Sequence, residues 1–188
     1  MVDKNIDAQE FLYLAIESSN NKNSEDTLNY LKSALEIAPE LAEARLLLGA
    51  TYADLGMHER AEGQIKTAIK YDNNLSVAHF QLGLLYITNN RLDDAVASWS
   101  ALDSLDEDNP YYLFKVGLLA LANDNLETCL SYLERGIEHN LANAPLNINM
   151  QNIIESVKKN QRTSSPSSTD NKTQSQPVNL SAYEDLDN

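Results

Sequence analysis

Apolar side chains recur along most of this chain at intervals of three and four residues, the spacing that gathers them on one face of an α-helix. Short turn sequences separate the apolar stretches, for example Asn20-Asn21 and Leu55-Gly56. The pattern predicts eight helices, at 8–20, 24–37, 42–55, 58–71, 76–89, 92–104, 110–123 and 126–139. A further apolar stripe predicts a ninth helix over 144–160.

The first eight helices come in pairs, and each pair occupies a unit of 34 residues. With Ala42 as position 1 of the unit 42–75, the same frame continues without insertion through 8–41, 76–109 and 110–143. Position 8 is Ala15, Gly49, Gly83 or Gly117, position 20 is Thr27, Ala61, Ala95 or Cys129, and position 24 is Leu31, Ile65, Trp99 or Leu133. Small residues at positions 8 and 20 predict a close approach of two antiparallel helices, and bulky residues at position 24 fill the space between successive helices.

The spacing Leu-Gly-x2-Tyr in these units resembles the tetratricopeptide repeat. It stands at Leu48, Gly49 and Tyr52, and again at Leu82, Gly83 and Tyr86. The terminal units depart from it, since position 11 is Ser18 in the first and Ala120 in the last. The resemblance covers residues 8–143 and implies an all-α, right-handed superhelical solenoid of four helix–turn–helix repeats that stack on one another.

The segments outside the repeats differ in composition. Residues 1–7 form a polar lead. The apolar stripe of 144–161 predicts a capping helix, which would cover the exposed edge of the last repeat; its members are Leu146, Met150, Ile153, Ile154 and Val157. Residues 162–188 begin with a stretch rich in Ser, Thr, Asn and Gln and end with several carboxylates, which predicts a disordered acidic tail.

Charge and composition argue against several classes of function. The chain has 14 Lys and Arg against 28 Asp and Glu, a net charge of −14, and such a surface repels nucleic acid. Its single cysteine cannot form an internal disulfide. No apolar run approaches the ~18 residues that a membrane span needs, and the N-terminus lacks the apolar core of a secretory signal. We therefore expect a cytoplasmic protein without membrane insertion.

The candidate chemical groups form no catalytic or metal-binding motif. The three histidines lack the spacing of metal ligands. Cys129 occupies a small-residue slot, which predicts a buried and unreactive thiol. The acidic run 103–108 lacks the calcium-loop pattern and is interpreted as a solvated loop. The sequence predicts a protein that is not an enzyme and needs neither a cofactor nor a metal.

In the tetratricopeptide family, ligand contacts come mainly from positions 2, 5, 9 and 12 or 13 of the first helix of each repeat, which lines a concave face. The resemblance implies an apolar groove in this chain, formed by Leu12, Ile16, Leu46, Ala50, Phe80, Leu84, Ile87, Phe114, Leu118 and Leu121. Gln81 and Lys115 lie beside these positions and could orient the polar end of a ligand. Family members that bind acidic chaperone C-termini use Lys, Arg and Asn in the groove. Positions 5, 9 and 12 of the first helices in this chain contain none of these three residue types, which argues against an acidic C-terminus as the ligand.

The predicted function is a non-catalytic scaffold for protein–protein interaction, an adaptor, assembly factor or chaperone. An apolar peptide or amphipathic helix of a partner would occupy the groove. Three alternatives stay open at this point: the C-terminal segment of the chain fills the groove, a second copy fills it in a homo-oligomer, or the solenoid is wound tightly enough to bury it.

Overall fold

A computed structural model describes residues 7–163, and this range contains nine α-helices and no strand. The helices are α1 (Ala8–Asn20), α2 (Ser24–Ile37), α3 (Ala42–Asp54), α4 (His58–Tyr71), α5 (Ser76–Thr88), α6 (Leu92–Trp99), α7 (Pro110–Ala122), α8 (Leu126–His139) and α9 (Ala144–Thr163). The predicted all-α array of helix–turn–helix repeats is confirmed. Nearly all of the predicted polar lead and of the predicted disordered acidic tail lies outside the described residues.

Helix α6 differs most from its prediction. The apolar pattern predicts a continuous helix over 92–104, whereas α6 ends at Trp99 and Ser100–Ser104 continue as a 3-10 helix. Tighter winding at the C-terminal end of an α-helix is common, because its last carbonyls have no partner in the helix itself. The 3-10 turn accompanies the complete burial of Leu102.

The helices belong to two compact units, of which the first ends at Ala101 and the second begins at Leu102. In unit 1, the pairs α1–α2, α3–α4 and α5–α6 form hairpins, while α2 packs on α3 and α4 packs on α5. In unit 2, α7 packs on α8, and α8 packs on α9. The predicted boundaries of the lead, the four repeats, the capping helix and the tail stay a prediction.

A single left-handed residue follows the first helix of every repeat. These residues are Lys22, Gly56, Asn90 and Asp124, all at repeat position 15, with φ between 55° and 70°. At each site the next residue donates its backbone N–H to the carbonyl of position 11, at 2.8 to 2.9 Å. This is the Schellman arrangement, which satisfies the last carbonyls of a helix and reverses the chain. The same turn therefore starts the second helix in all four repeats.

The glycines at position 8 set the distance between the two helices of a repeat. A Cβ on Gly83 would lie 2.0 Å from Nε1 of Trp99, and one on Gly49 would lie 2.6 Å from Cγ1 of Ile65. The Trp99 indole N–H donates to the Phe80 carbonyl at 3.0 Å, so the ring has a fixed place in the hairpin. The predicted close approach at position 8 is confirmed, and the group that approaches is the bulky side chain at position 24.

Helix α9 packs its apolar stripe inward in unit 2. Leu146, Met150, Ile153, Ile154 and Val157 are all buried. The start of α9 is held by two reciprocal hydrogen bonds: the Asn147 side chain donates to the Asn140 carbonyl at 2.9 Å, and the Asn140 side chain donates to Asn147 Oδ1 at 2.7 Å. Residues 144–163 thus form an amphipathic helix that α8 partly covers.

A charged network in unit 1 ties α4 to the turn before α6. The Glu62 carboxylate accepts hydrogen bonds from Lys66 at 2.6 Å, from Arg91 at 2.7 Å and from the Tyr86 hydroxyl at 3.1 Å. Burial by itself would raise the pKa of Glu62, but these three donors outweigh it and lower the pKa to about 2. The carboxylate is therefore charged in the folded protein well below the pH at which it protonates in the unfolded chain.

This network predicts a pH-dependent contribution to stability. Because the folded pKa of Glu62 is depressed, the stabilisation is present above the unfolded pKa of 4.5 and is lost as the pH falls towards about 2. We expect Glu62→Gln to lower the free energy of unfolding at pH 7 by about 2 kcal/mol and to leave it nearly unchanged at pH 2. Urea titrations across this pH range measure the difference. Glu59→Gln, on the exposed start of α4, is the control, and an equal effect of both variants would contradict the prediction.

Candidate functional site

The structure places the position-5 residues of the predicted groove in the interior. Leu12, Leu46 and Phe80 are buried in unit 1, and Phe114 is buried in unit 2. The Phe80 ring stacks on Trp99 with centroids 5.9 Å apart. The Phe114 ring lies so close to Gly136 that a Cβ there would be 2.4 Å from it. These rings support the hairpins of their own repeats.

The position-9 residues of unit 1 are accessible. Ile16 on α1 is 42% exposed, and Ala50 on α3 and Leu84 on α5 are partly exposed. Because α1 contacts α3 and α3 contacts α5, residues at the same repeat position follow one another from helix to helix. These three side chains form a row, which we call the position-9 row. Ile87, at position 12 of α5, is buried.

In unit 2, the predicted groove positions offer no accessible apolar surface. Leu118 and Leu121 are buried with Phe114 along α7. Lys115 is also buried, its ammonium is paired with the Asp103 carboxylate, and it lies 4.7 Å from the centroid of the Tyr112 ring. The polar group that the sequence assigned to orienting a ligand is therefore engaged within its own unit.

Gln81 behaves differently from Lys115. Its Oε1 atom is buried, and within the described part of the chain it has no hydrogen-bond partner. A buried acceptor without a donor costs about 1–3 kcal/mol. Gln81 occupies repeat position 6, where the preceding repeat has Leu47 packed on the core of repeat 1. An apolar residue would suit this position as well.

Among the cysteine and histidine side chains, Cys129 is buried and His79 contacts the backbone. Cys129 is completely buried, which raises the pKa of its thiol to about 11 and keeps it protonated at neutral pH. His79 Nε2 lies 3.1 Å from the Asn73 carbonyl oxygen. In residues 7–163, no three His, Cys, Asp or Glu side chains are placed to hold a metal ion. No helix within that range is both long enough and apolar enough to cross a membrane.

Sequence reasoning missed an accessible face at the open side of α1. At repeat positions 3 and 6, α3 carries Ala44 and Leu47, which pack on the core of the first repeat. The same positions of α1 hold Glu10 and Tyr13, which are exposed, and Tyr13 is 63% exposed. An open depression here is lined by Asp7, Gln9, Glu10, Tyr13 and Leu14. The signal in the sequence is a charged residue in a slot that is Ala in the next two repeats.

Part of the chain matches a known protein family. The family model of the tetratricopeptide repeat matches residues 21–77. This stretch of the chain therefore contains tetratricopeptide repeat sequence. The matched region includes α2 to α4 and the first residues of α5, so the family model covers the second repeat and parts of its two neighbours. No curated protein sequence is significantly similar to the chain.

Solved structures of low sequence identity share the fold. The crystal structure of the APC/C hetero-tetramer Cut9-Hcn1 matches with a TM-score of 0.73 and 14% identity over 84% of this chain, and the match spans 31% of that chain. A thermophilic tetratricopeptide repeat protein of Thermus thermophilus matches with a TM-score of 0.65 and 21% identity, covering 83% of this chain and 84% of that one. Pseudomonas aeruginosa PilF matches with a TM-score of 0.64 and 17% identity, covering 83% and 69%. Tetratricopeptide repeats form scaffolds for protein–protein interaction, and the fold of this chain supports that general role.

Proposed function

We propose that this protein is a non-catalytic scaffold, an adaptor, assembly factor or chaperone, and that it binds an apolar peptide or amphipathic helix of a partner on unit 1. The position-9 row is the contact surface in this proposal. It consists of Ile16, Ala50 and Leu84, with Ile16 as its most exposed member. The observation that carries the proposal is this accessible apolar row on the first helices of three consecutive repeats.

The row is narrower than the groove predicted from the sequence, and burial explains the difference. Phe80 and Phe114 are already buried, so a ligand gains nothing by covering them. Covering exposed apolar surface contributes about 25 cal/mol per Å², which favours contacts at Ile16. A helix that places apolar residues at intervals of three and four on the row is the expected ligand. The single cysteine is compatible with a reducing compartment, and we propose a cytoplasmic location.

Replacing Ile16 by glutamate tests the row without disturbing the core. We expect the Ile16→Glu variant to lose at least tenfold in affinity for a partner that the parent captures, because a charge must be buried against the ligand. Partners are captured from a lysate of the source cells with the full chain and identified by mass spectrometry. Their affinities are then measured with the purified partner. Circular dichroism and thermal unfolding should be those of the parent, since Ile16 is already in contact with water.

Val96→Glu is the matched control, because Val96 is an aliphatic β-branched residue with 47% exposure on α6. A partner that is lost with Ile16→Glu and kept with Val96→Glu supports the proposal. Equal capture by all three proteins would show that the row is not a binding surface. The molar mass of the parent could instead rise with protein concentration while that of Ile16→Glu does not. The row would then be a self-association surface, as in the homo-oligomer alternative.

A further inference from the structure

Lysine and arginine side chains of this protein repeatedly lie on a tyrosine ring and a carboxylate at the same time. The Arg91 guanidinium carbon is 4.4 Å from the Tyr86 ring centroid, and its Nη1 is 2.7 Å from Glu62. The Arg135 guanidinium carbon is 5.4 Å from the Tyr132 centroid, and its Nη2 is 3.0 Å from Asp108. Lys66 and Lys115 are held in the same way, on Tyr86 with Glu62 and on Tyr112 with Asp103.

The physical reason is that both groups attract the cation. The face of an aromatic ring carries partial negative charge, and the carboxylate beside it supplies a full one. Four cations in the described residues use this combination, two in unit 1 at Tyr86 and two in unit 2. Tyrosine next to a carboxylate is thus an arrangement that binds Lys or Arg in this molecule.

The open face of α1 has a tyrosine and carboxylates in the same arrangement, but no Lys or Arg of the described residues lies on them. Among the described residues of unit 1, Tyr13 is the most exposed large hydrophobic side chain. Glu10 precedes it by three residues and Glu17 follows it by four, so all three lie on one face of the helix. Asp7 lines the depression with Tyr13 and Glu10. Within the described residues, no Lys or Arg lies on the Tyr13 ring, and the first one after Asp7 in the sequence is Lys22.

The carboxylates of this face keep acceptor capacity for a ligand. Glu10 uses Oε2 to accept the Asp7 backbone N–H, and Asp7 uses Oδ1 to accept the N–H groups of Gln9 and Glu10. The second oxygen of each has no hydrogen bond to a described residue. The capping interactions also fix both carboxylates at the start of α1, next to the Tyr13 ring, so a ligand does not have to order them.

We propose that this face, formed by Tyr13 with Asp7, Glu10 and Glu17, is a docking surface for a partner segment that presents Arg or Lys next to an apolar residue. The cation occupies the Tyr13 ring and the carboxylates, and the apolar residue covers Leu14. The face borders the position-9 row, because Ile16 follows Tyr13 by three residues, but the proposal does not depend on that row. Glu10 stands at repeat position 3, where the next two repeats have alanine.

A designed peptide pair tests the proposal with the full chain. The probe is the fluorescein-labelled peptide Leu-Arg-Leu-Arg-Leu-Arg, and its counterpart has Glu in place of Arg. Fluorescence anisotropy at low and moderate salt measures the affinities. We expect saturable binding of the Arg peptide only. The affinity for this peptide should fall about fivefold in Tyr13→Ala and be retained in Tyr13→Phe, which keeps the aromatic face. Glu10→Gln with Glu17→Gln should weaken binding and flatten its salt dependence.

Tyr71→Ala is the matched control, since Tyr71 is 45% exposed at the end of α4. Unchanged binding in this control together with loss in Tyr13→Ala supports the proposal. Equal loss in both variants, or equal binding of the Glu peptide, would overturn it in favour of non-specific attraction or apolar contact. A fivefold gain in affinity with Lys4→Ala would also overturn it, because the protein's own lead would then be the occupant.

Discussion

The Gly83→Ala variant is expected to lose about 3 kcal/mol of the free energy of unfolding of unit 1. The added methyl would lie 2.0 Å from the Trp99 indole nitrogen, far inside van der Waals contact. Trp99 cannot move aside at low cost, because its ring is completely buried, stacks on Phe80 and donates to the Phe80 carbonyl. Separation of α5 from α6 would open the hairpin instead, and overpacking of this kind typically costs about 1–3 kcal/mol or more. The fluorescence of Trp99, the only tryptophan, follows the unfolding of this unit in urea.

Gly63→Ala is the control, because it makes the same chemical change in the middle of α4, where the new Cβ would meet nothing within 4 Å beyond the adjacent backbone of its own helix. There the substitution should stabilise the protein by about 0.5–1 kcal/mol, since alanine favours a helix over glycine. In a Trp99→Leu background, followed by circular dichroism because no tryptophan remains, Gly83→Ala should cost less than it does in the parent, since the smaller side chain leaves room for the methyl. A Gly83→Ala variant as stable as Gly63→Ala would show that the helices are further apart than the structure has them.

The Phe114→Glu variant is expected to unfold unit 2, with a loss of at least about 4 kcal/mol. The ring is completely buried against Gly136, and a carboxylate in its place would be removed from water while the cavity left by the ring stays partly unfilled. Hydrogen exchange of the α7 and α8 amides measures the effect in this unit. We expect those amides to lose their protection in the variant.

Phe114→Leu keeps the site apolar and should cost only about 1–2 kcal/mol, so it separates the effect of charge from that of shape. Protected α7 amides in Phe114→Glu would contradict the burial of this ring and would return Phe114 to the set of ligand contacts. The comparison matters for function, because a charged variant at this position would lose any partner by unfolding. Ile16→Glu avoids this ambiguity, since Ile16 is exposed.

Most of the secondary structure could be predicted because the sequence repeats. Each 34-residue unit has the same spacing of apolar and turn residues, so one interpretation of the pattern applies to all four units. The predicted bounds of α1, α2, α4 and α8 coincide with those observed. The turn is repeated as well, although only Gly56 among the four left-handed residues is a glycine. Lys22 adopts the same φ because the hydrogen bonds on either side of it fix the turn. The end of α6 differs because its last turn tightens at Trp99.

The contact surface could be predicted only in part. Helical periodicity places the apolar residues Leu12, Ile16 and Phe80 on the first helices of their repeats. It cannot distinguish a side chain that packs inside its repeat from one that is accessible to a ligand. That distinction depends on how closely the helices approach. At position 8 a glycine admits the position-24 side chain, and the position-5 residue beside it becomes enclosed. Position 9 lies one turn further along the helix and stays accessible in unit 1.

By itself, the sequence determined the repeat frame, the helix pairs and their turns, because these follow from spacing and local backbone preference. Only the tertiary structure decided which apolar residues are buried. It also decided that the Lys115 ammonium is paired with the Asp103 carboxylate and that Tyr13 is exposed next to carboxylates. The physical reason is that accessibility and ion pairing depend on distances between residues far apart in the chain. A spacing pattern contains no such distances.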